Sequence, residues 1–398
     1  MAKNIAVGID IGTYQIKIVV VENVREDGRD NFKIIGTGFA ESKGLRHGYI
    51  INSGDTKRSL SIAIAEAEKT ANIKIKRAFL SIGGIGVGSV ISHGSIIIPR
   101  ADSEITEIDI KNVLSVAESE IPANISVNKK IIHTIPISYK IDGRVVLGRP
   151  IGMKGIKFEV RAMFVTCLEH HLNDLIDTVE DIGIEVVNIM ASPLAGSMVA
   201  LNKTQKIAGC ILANIGSETV SMVVFENNMP ISLEVFPIGG TDITNDIALG
   251  LKIPLEEAED LKINDGHENM YPKKRLEEII TARLSDIFDL IESHLKKLGR
   301  SGLLPAGIIL TGGTSGVSTI EDLARATLKL PSKLGSINFT TNLKNCQVKD
   351  SSWSVSYGLC IWGLSNGEEI SFGASSGGVA NSKGLFKKVL SWFKQFLP

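Results

Sequence analysis

The chain opens with two apolar runs, residues 5–9 and 16–21, the second carrying one charge at Lys17, either side of the polar turn Asp10-Ile11-Gly12-Thr13-Tyr14-Gln15. Neither run alternates with polar residues, so both predict central strands buried on two faces. Further strands are expected at 32–39 and 79–82, with helical spacing over 56–71 between them. The glycines Gly83, Gly84, Gly86 and Gly88 then mark a boundary. Over roughly 85–165 the pattern predicts a strand (90–98), a helix, and two strands (130–140 and 157–165) around a Gly/Pro-rich loop at 142–155. Thr106 opens the helix, with Asp109 three residues on in capping-box fashion, and Pro122 stands beyond its end. Past this β-α-β-β unit come a helix at 171–182, a strand at 185–190, a small-residue helix at 193–201 and a strand at 231–236. A helix opens at Gly239-Gly240-Thr241-Asp242, and others cover 256–263 and 274–298. A buried strand at 307–310, a helix at 318–328 and a closing helix at 354–364 complete the series.

The opening hairpin occurs twice. Asp10-Ile11-Gly12-Thr13-Tyr14-Gln15-Ile16-Lys17 aligns without a gap on Asn214-Ile215-Gly216-Ser217-Glu218-Thr219-Val220-Ser221, and both hairpins run on to Glu-Asn, at Glu22-Asn23 and Glu226-Asn227. A duplicated domain explains this most economically, and it makes the β-α-β-β unit an insertion in the first half. Taken singly, each Gly turn reads as an ordinary hairpin. As a facing pair, the turns are suited to clamping a polyphosphate. Gly12 allows close backbone approach, successive N–H groups form an anion nest, Thr13 adds a hydroxyl and Lys17 a positive charge. The Asp10 carboxylate suits Mg²⁺ held through water. At the third glycine site, Thr311-Gly312-Gly313-Thr314, a strand-Gly-Gly-helix junction presents backbone to a ligand.

Composition narrows the class. The chain of 398 residues is 43% hydrophobic and 22% charged, a globular balance with room for several domains. A net charge of −1 gives no electrostatic case for nucleic acid. Four scattered cysteines lack metal spacing and read as reduced thiols of a cytoplasm. The start MAKNIAVGID lacks signal-peptide architecture, and no apolar run reaches the ~18 residues that span a bilayer, so membrane contact is expected to be peripheral. His133 reads as a structural histidine of the insertion.

The end of the chain differs in character. Residues 367–383 are a Gly/Ser/Ala-rich linker. Beyond it Leu385, Phe386, Val389, Leu390, Trp392, Phe393, Phe396 and Leu397 fill a helical arc of about 160°, with every polar residue outside it. This pattern predicts an amphipathic helix over 384–398 that lies in a membrane surface, with Lys387, Lys388 and Lys394 toward anionic lipid.

The order of these motifs resembles a known superfamily. Asp10-Ile11-Gly12-Thr13, Gly216-Ser217 after a strand, and Thr311-Gly312-Gly313 are similar to the first phosphate, second phosphate and adenosine motifs of the actin, Hsp70 and sugar-kinase superfamily. Within it the chain resembles the bacterial cell-division family FtsA. The features it shares are His133-Thr134-Ile135-Pro136 through Tyr139, Asp142 and Gly152-Met153-Lys154-Gly155, the place of the insertion, and the linker with its terminal amphipathic helix. The resemblance covers essentially the whole chain.

The resemblance implies an α/β, two-lobed, duplicated ATPase fold with ATP in the cleft and the insertion as subdomain 1C. The domains are then expected at 1–84 (lobe I, first part), 85–165 (1C), 166–205 (lobe I, second part), 206–345 (lobe II), 346–366 (a closing helix on lobe I), 367–383 (linker) and 384–398 (membrane helix). Gly239-Gly240 and the pair Glu259 and Lys262, one helical turn apart, match positions lining phosphate and ribose or adenine. With Asp10, Gly12, Thr13, Tyr14, Lys17, Asn214, Gly216, Ser217, Glu218, Thr219, Gly312, Gly313 and Thr314 they make the expected nucleotide site. The family binds the cytoskeletal GTPase FtsZ through the part of lobe II near 255–300, where Arg283 and Asp286 are the expected contacts. It also self-associates, works with other division proteins and sits on the cytoplasmic face of the membrane at the division site. Two departures bear on chemistry. Asn214 stands where much of the superfamily has Asp, and Ser192 precedes Pro193 where hydrolytic members have Glu or Gln. Losing groups that bind Mg²⁺ or position water predicts slow or absent ATP hydrolysis. The competing readings are a pilus-assembly adaptor of the same fold and, from a different class, a sugar-kinase or Hsp70-like ATPase.

Overall fold

In the computed structural model, residues 5–26, 29–263, 271–341, 343, 346–348 and 350–365 are described. The expected linker and amphipathic helix, with Leu385, Phe386, Lys387, Lys388, Val389, Leu390, Trp392, Phe393, Lys394, Phe396 and Leu397, lie outside the described residues.

The first lobe begins with β1 (Ile5–Ile11), β2 (Gln15–Glu26) and β3 (Arg29–Glu41), followed by a small hairpin of β4 (Leu45–Arg46) and β5 (Tyr49–Ile50), then α1 (Ser53–Ala71) and β6 (Arg77–Ile82). As the unalternating runs require, Ile9, Ile16, Ile18, Val19, Val20 and Val21 are buried. α1 starts where Asn52 accepts from the Asp55 N–H and ends at Asn72 in a left-handed conformation.

The insertion comprises β7 (Gly88–Ile97), α2 (Glu107–Ser119), α3 (Ala123–Ser126), β8 (Lys129–Ile141), β9 (Arg144–Val146) and β10 (Lys157–Leu168). Its sheet runs β7-β10-β8-β9 around its own core of Phe158, Phe164, Val113 and neighbours. The loop expected at 142–155 therefore contains a strand, because β8 continues through Asp142-Gly143 into a hairpin pairing Tyr139 with Val146. Asp142 and Gly143 both take positive φ, which the mirror-image two-residue turn demands. The α2 cap forms as expected, with Asp109 Oδ2 accepting from the Thr106 N–H and hydroxyl.

The chain then completes lobe I with α4 (Glu169–Glu180), β11 (Glu185–Ala191) and α5 (Ser192–Ala200). Lobe II follows as α6 (Lys203–Ala208), β12 (Cys210–Ile215), β13 (Val220–Glu226), β14 (Met229–Phe236), α7 (Gly240–Leu251), α8 (Leu255–Ile263), α9 (Lys273–Leu298), β15 (Gly307–Thr311), α10 (Ile320–Leu328) and β16 (Ser332–Leu334). β17 (Thr340–Thr341) pairs with β3, so the chain is back on lobe I before position 345, and α11 (Ser354–Ser365) packs on α5 and β1. α11 is buried nearly all round, and a Cβ on Gly358 would stand 1.9 Å from the Ala195 carbonyl oxygen.

The duplication holds at the level of hydrogen-bond register. β1 and β2 pair Asp10 with Lys17 and Ile11 with Ile16, while β12 and β13 pair Asn214 with Ser221 and Ile215 with Val220. The two principal sheets run β11-β6-β1-β2-β3-β17 and β14-β13-β12-β15-β16, the same arrangement with β17 added at one edge. In each, the hairpin's first strand is parallel to a later strand, β6 or β15. The two tight turns consequently project from equivalent sheet ends.

Candidate nucleotide-binding cleft

The two turns share a local design. In the first, the Gly12 N–H donates to the Gln15 carbonyl at 3.2 Å; in the second, Gly216 donates to Thr219 at 2.9 Å. Both turns line one cleft of about 720 Å³ between the lobes, within the size range of small-molecule sites. A Cβ on Gly12 would stand 2.9 Å from the Gln15 oxygen, inside the turn itself. The cost of a side chain there therefore falls first on the turn and only then on a bound group.

On the lobe I side Asp10 is covered by the cleft wall, and the Ser81 hydroxyl donates to its Oδ1 at 2.7 Å. Burial pushes its carboxyl above the usual carboxylate range, against the Ser81 bond and the nearby Lys17 charge. A cation entering beside it would favour the ionised form. Among the described residues no cluster of three or more His, Cys, Asp or Glu side chains stands together as a metal cage. Asp10 alone fits Mg²⁺, which is commonly held by one or two carboxylates, water and substrate phosphates. Lys17 also borders the cleft, but its ammonium donates to the Ser352 carbonyl at 3.1 Å and lies 5.7 Å from the centre of the Trp353 ring. Burial lowers its pKa despite Asp10 and Asp350. Its charge thus ties the first hairpin to the segment leading into α11.

The lobe II side is built from close backbone contacts. Gly240 N–H donates to the Gly216 carbonyl at 2.9 Å, and the Thr314 hydroxyl donates to the same carbonyl at 3.1 Å. Gly312 has φ 93°, and a Cβ on it would stand 2.3 Å from Asn214 Oδ1 and 2.4 Å from the Ile215 oxygen. Only glycine lets the third turn approach the second so closely. Lys262 Nζ bonds Glu259 Oε2 at 2.6 Å, Thr244 Oγ1 at 2.9 Å and the Gly240 oxygen at 3.1 Å, locking α8 onto α7 at the cleft edge.

Of the expected site residues, Asp10, Gly12, Thr13, Tyr14, Lys17, Asn214, Gly216, Ser217, Thr219, Gly240, Glu259, Lys262, Gly312, Gly313 and Thr314 line this one cleft. Glu218 and Gly239 do not. The Glu218 carboxylate accepts from the His47 N–H, and Gly239 is packed behind the second turn, where a Cβ would stand 2.4 Å from the Ser217 oxygen. The third junction also differs from expectation. Gly313–Gly316 form a 3-10 turn and α10 begins only at Ile320, so the backbone facing the cleft is a turn and not a helix end.

Arg283, an expected partner contact, already has a partner within the chain: it is half-buried and bound bidentately to Asp246 of α7, at 2.6 and 3.0 Å, with Asp286 3.4 Å away. The pair staples α9 to α7, while Asp286 itself remains largely exposed. His133 is buried, its Nε2 accepts from the Ala191 N–H at 3.2 Å, and burial lowers its pKa to about 4, so it stays neutral as a structural group. The cleft also takes in Gly48, Gly83, Gly84, Leu255, Asp260 and Ser352, which sequence reasoning missed. Leu255, four and seven residues before Glu259 and Lys262, shares their helical face, a legible signal. The others arrive only by folding.

A duplicated two-lobed α/β fold with one Gly turn from each half facing a single cleft belongs to the actin-like class of nucleotide-binding folds. Solved structures agree: the chain superposes on the PilM-PilN type IV pilus biogenesis complex (TM-score 0.66, 17% identity, 90% of this chain and 98% of that one). It also superposes on MreB5 of Spiroplasma citri bound to ADP (TM-score 0.51, 13% identity, 93% and 99%). Sequence comparison narrows the class. The family model "Cell division protein FtsA" matches residues 211–358, and "SHS2 domain inserted in FTSA" matches 84–166. Curated relatives include Cell division protein FtsA of Pseudomonas aeruginosa, 31% identical over 93% of this chain and 92% of the relative, and that of Bacillus subtilis, 29% identical over 90% and 83%. This chain belongs to the FtsA cell-division family.

Proposed function

We propose that the chain binds ATP with Mg²⁺ in the cleft and serves as a self-associating adaptor that tethers FtsZ filaments to the cytoplasmic face of the membrane at the division site. The observation that carries the reading is the pair of register-matched turns facing one cleft in a member of this family. Thr13 and Ser217 hydroxyls and the turn N–H groups would hold phosphates, and Asp10 would hold the metal through water. Gly312, Gly313 and Thr314 with the Glu259–Lys262 face of α8 would receive the nucleoside. Bound Mg²⁺ supplies charge neutralisation for the phosphates; the chain's own groups bind and orient. Ser192, at the start of α5 on the cleft wall, and Asn214 offer no carboxylate to polarise a water, which supports a slow ATPase or none.

The domain division expected from the sequence is kept in this reading except that lobe II ends before β17, with 384–398 as the membrane contact. Anchoring by one short amphipathic helix is reversible, and self-association would raise the effective concentration of the helices at the surface. The test is co-sedimentation of FtsZ polymer with anionic liposomes. The full chain should bring FtsZ down with the vesicles, and the chain lacking 384–398 should not. Recruitment that survives the truncation would refute the tether.

A further inference from the structure

The small β4–β5 hairpin reaches the cleft only through Gly48 and is given no ligand-binding role above, yet it joins three regions at once. His47 and Gly48 form its two-residue tip with φ 49° and 84°, the mirror-image turn that suits strand twist. The His47 N–H donates to the Glu218 carboxylate in the second Gly turn, and its ring Nδ1 lies 3.3 Å from the Glu218 carbonyl oxygen. The carbonyl of the same residue accepts from the Ile85 N–H at 3.3 Å, where the chain leaves lobe I for the insertion. Gly48 seats on Gly84, and a Cβ there would stand 2.4 Å from the Gly84 Cα.

The next residue reaches the other connection. The Tyr49 ring meets His171 edge-on, with centroids 4.6 Å apart, and stacks with His170 at 6.3 Å. His171 Nε2 is in turn 3.0 Å from the Gly83 oxygen. The hairpin therefore touches both the incoming and the outgoing connection of the insertion. The insertion also grips lobe II directly: the Ser89 hydroxyl accepts from the Leu233 N–H at 2.7 Å and donates to the Leu233 oxygen at 3.0 Å. Its seat depends on both lobes.

We propose that the His47-Gly48-Tyr49 hairpin couples nucleotide occupancy of the cleft to the seating of the inserted subdomain. The inference rests on the nucleotide reading given above. A phosphate that fixes the Ser217-Glu218 turn fixes the Glu218 carboxylate, which holds His47. His47 holds Ile85, and Tyr49 holds His171. Linkage makes the coupling reciprocal, so a partner that clamps the insertion raises nucleotide affinity by the same factor.

The test is hydrogen exchange on the full chain with and without ATP and Mg²⁺, beside a fluorescence titration of ATP. In the wild type, amides at 216–219, 83–89 and 166–171 should all exchange about tenfold more slowly with nucleotide. Tyr49→Ala should bind ATP within about twofold of wild type and keep the slowing at 216–219, yet lose it at 83–89 and 166–171. Tyr49→Phe, which retains the ring, should behave as wild type, and Glu218→Ala should lose the slowing at 83–89 and 166–171 from the other end. ATP binding without slowing at those connections, or full slowing in Tyr49→Ala, overturns the coupling alone. A wild-type chain that binds no ATP overturns the nucleotide reading and the coupling with it.

Discussion

Gly312→Ala probes the cleft with a single methyl group. Gly312 has φ 93° and ψ 168°, a region essentially confined to glycine; holding an L residue there costs about 1–3 kcal/mol. The added Cβ would also stand 2.3 Å from Asn214 Oδ1 and 2.4 Å from the Ile215 oxygen, whereas an unstrained contact needs well over 3 Å. The Asn214 side chain can rotate away, but the Ile215 oxygen is backbone of the second hairpin. The third turn must therefore retreat from the second by on the order of 1 Å. A loss of about 1–3 kcal/mol in fit between the turns corresponds to roughly 5–150-fold in affinity. Titration with ATP should show a loss of at least about tenfold, with circular dichroism unchanged. Gly313→Ala supplies the contrast for folding, because nothing lies within 4 Å of a Cβ there and its thermal midpoint should match wild type. Wild-type ATP affinity in Gly312→Ala would refute the argument that these two turns jointly shape the site.

Three further outcomes are expected. Arg283→Ala and Asp246→Ala should each lower stability by about 1–2 kcal/mol, and a double-mutant cycle read by urea unfolding should give a favourable coupling; additive losses would show that the pair does not staple α9 to α7. Burial of Asp109 opposes its ionisation, but the bonds from Arg100 and Thr106 outweigh it and hold its pKa at about 2. Because the folded value is depressed, the stabilisation is present above the unfolded pKa near 4 and disappears as pH falls toward 2. Allowing for the exposure of Arg100, it is worth about 1–2 kcal/mol, and Asp109→Asn should remove that pH dependence from insertion unfolding. Steady-state turnover without a partner should stay below the ~1 s⁻¹ floor of typical kinases, and phosphate release above it would contradict the roles given to Asn214 and Ser192.

The parts of the molecule legible in the sequence were those set by local rules. Largely apolar runs without alternation marked β1 and β2 because strands buried on both faces leave few polar positions, and the gapless repeat carried that reading to β12 and β13. The repeated Gly turn located the cleft because its spacing and hydroxyls survive in both halves. The β4–β5 hairpin escaped notice: its strands are two residues each, and its tip uses His47 in a conformation more often given to Asn or Gly. Lys17 and Arg283 were placed correctly on their elements, but their partners, Ser352 and Asp246, are brought to them by the fold. A side chain's charge is written in the sequence; whether that charge is already occupied is not.

The most direct test of the central claim is a structure of the full chain with a non-hydrolysable ATP analogue and Mg²⁺. The account predicts phosphates between the Thr13 and Ser217 turns, the metal on the Asp10 side and the nucleoside between Gly312-Gly313-Thr314 and the Glu259–Lys262 face of α8. A nucleotide bound anywhere else, or phosphates that touch only one of the two turns, would contradict it.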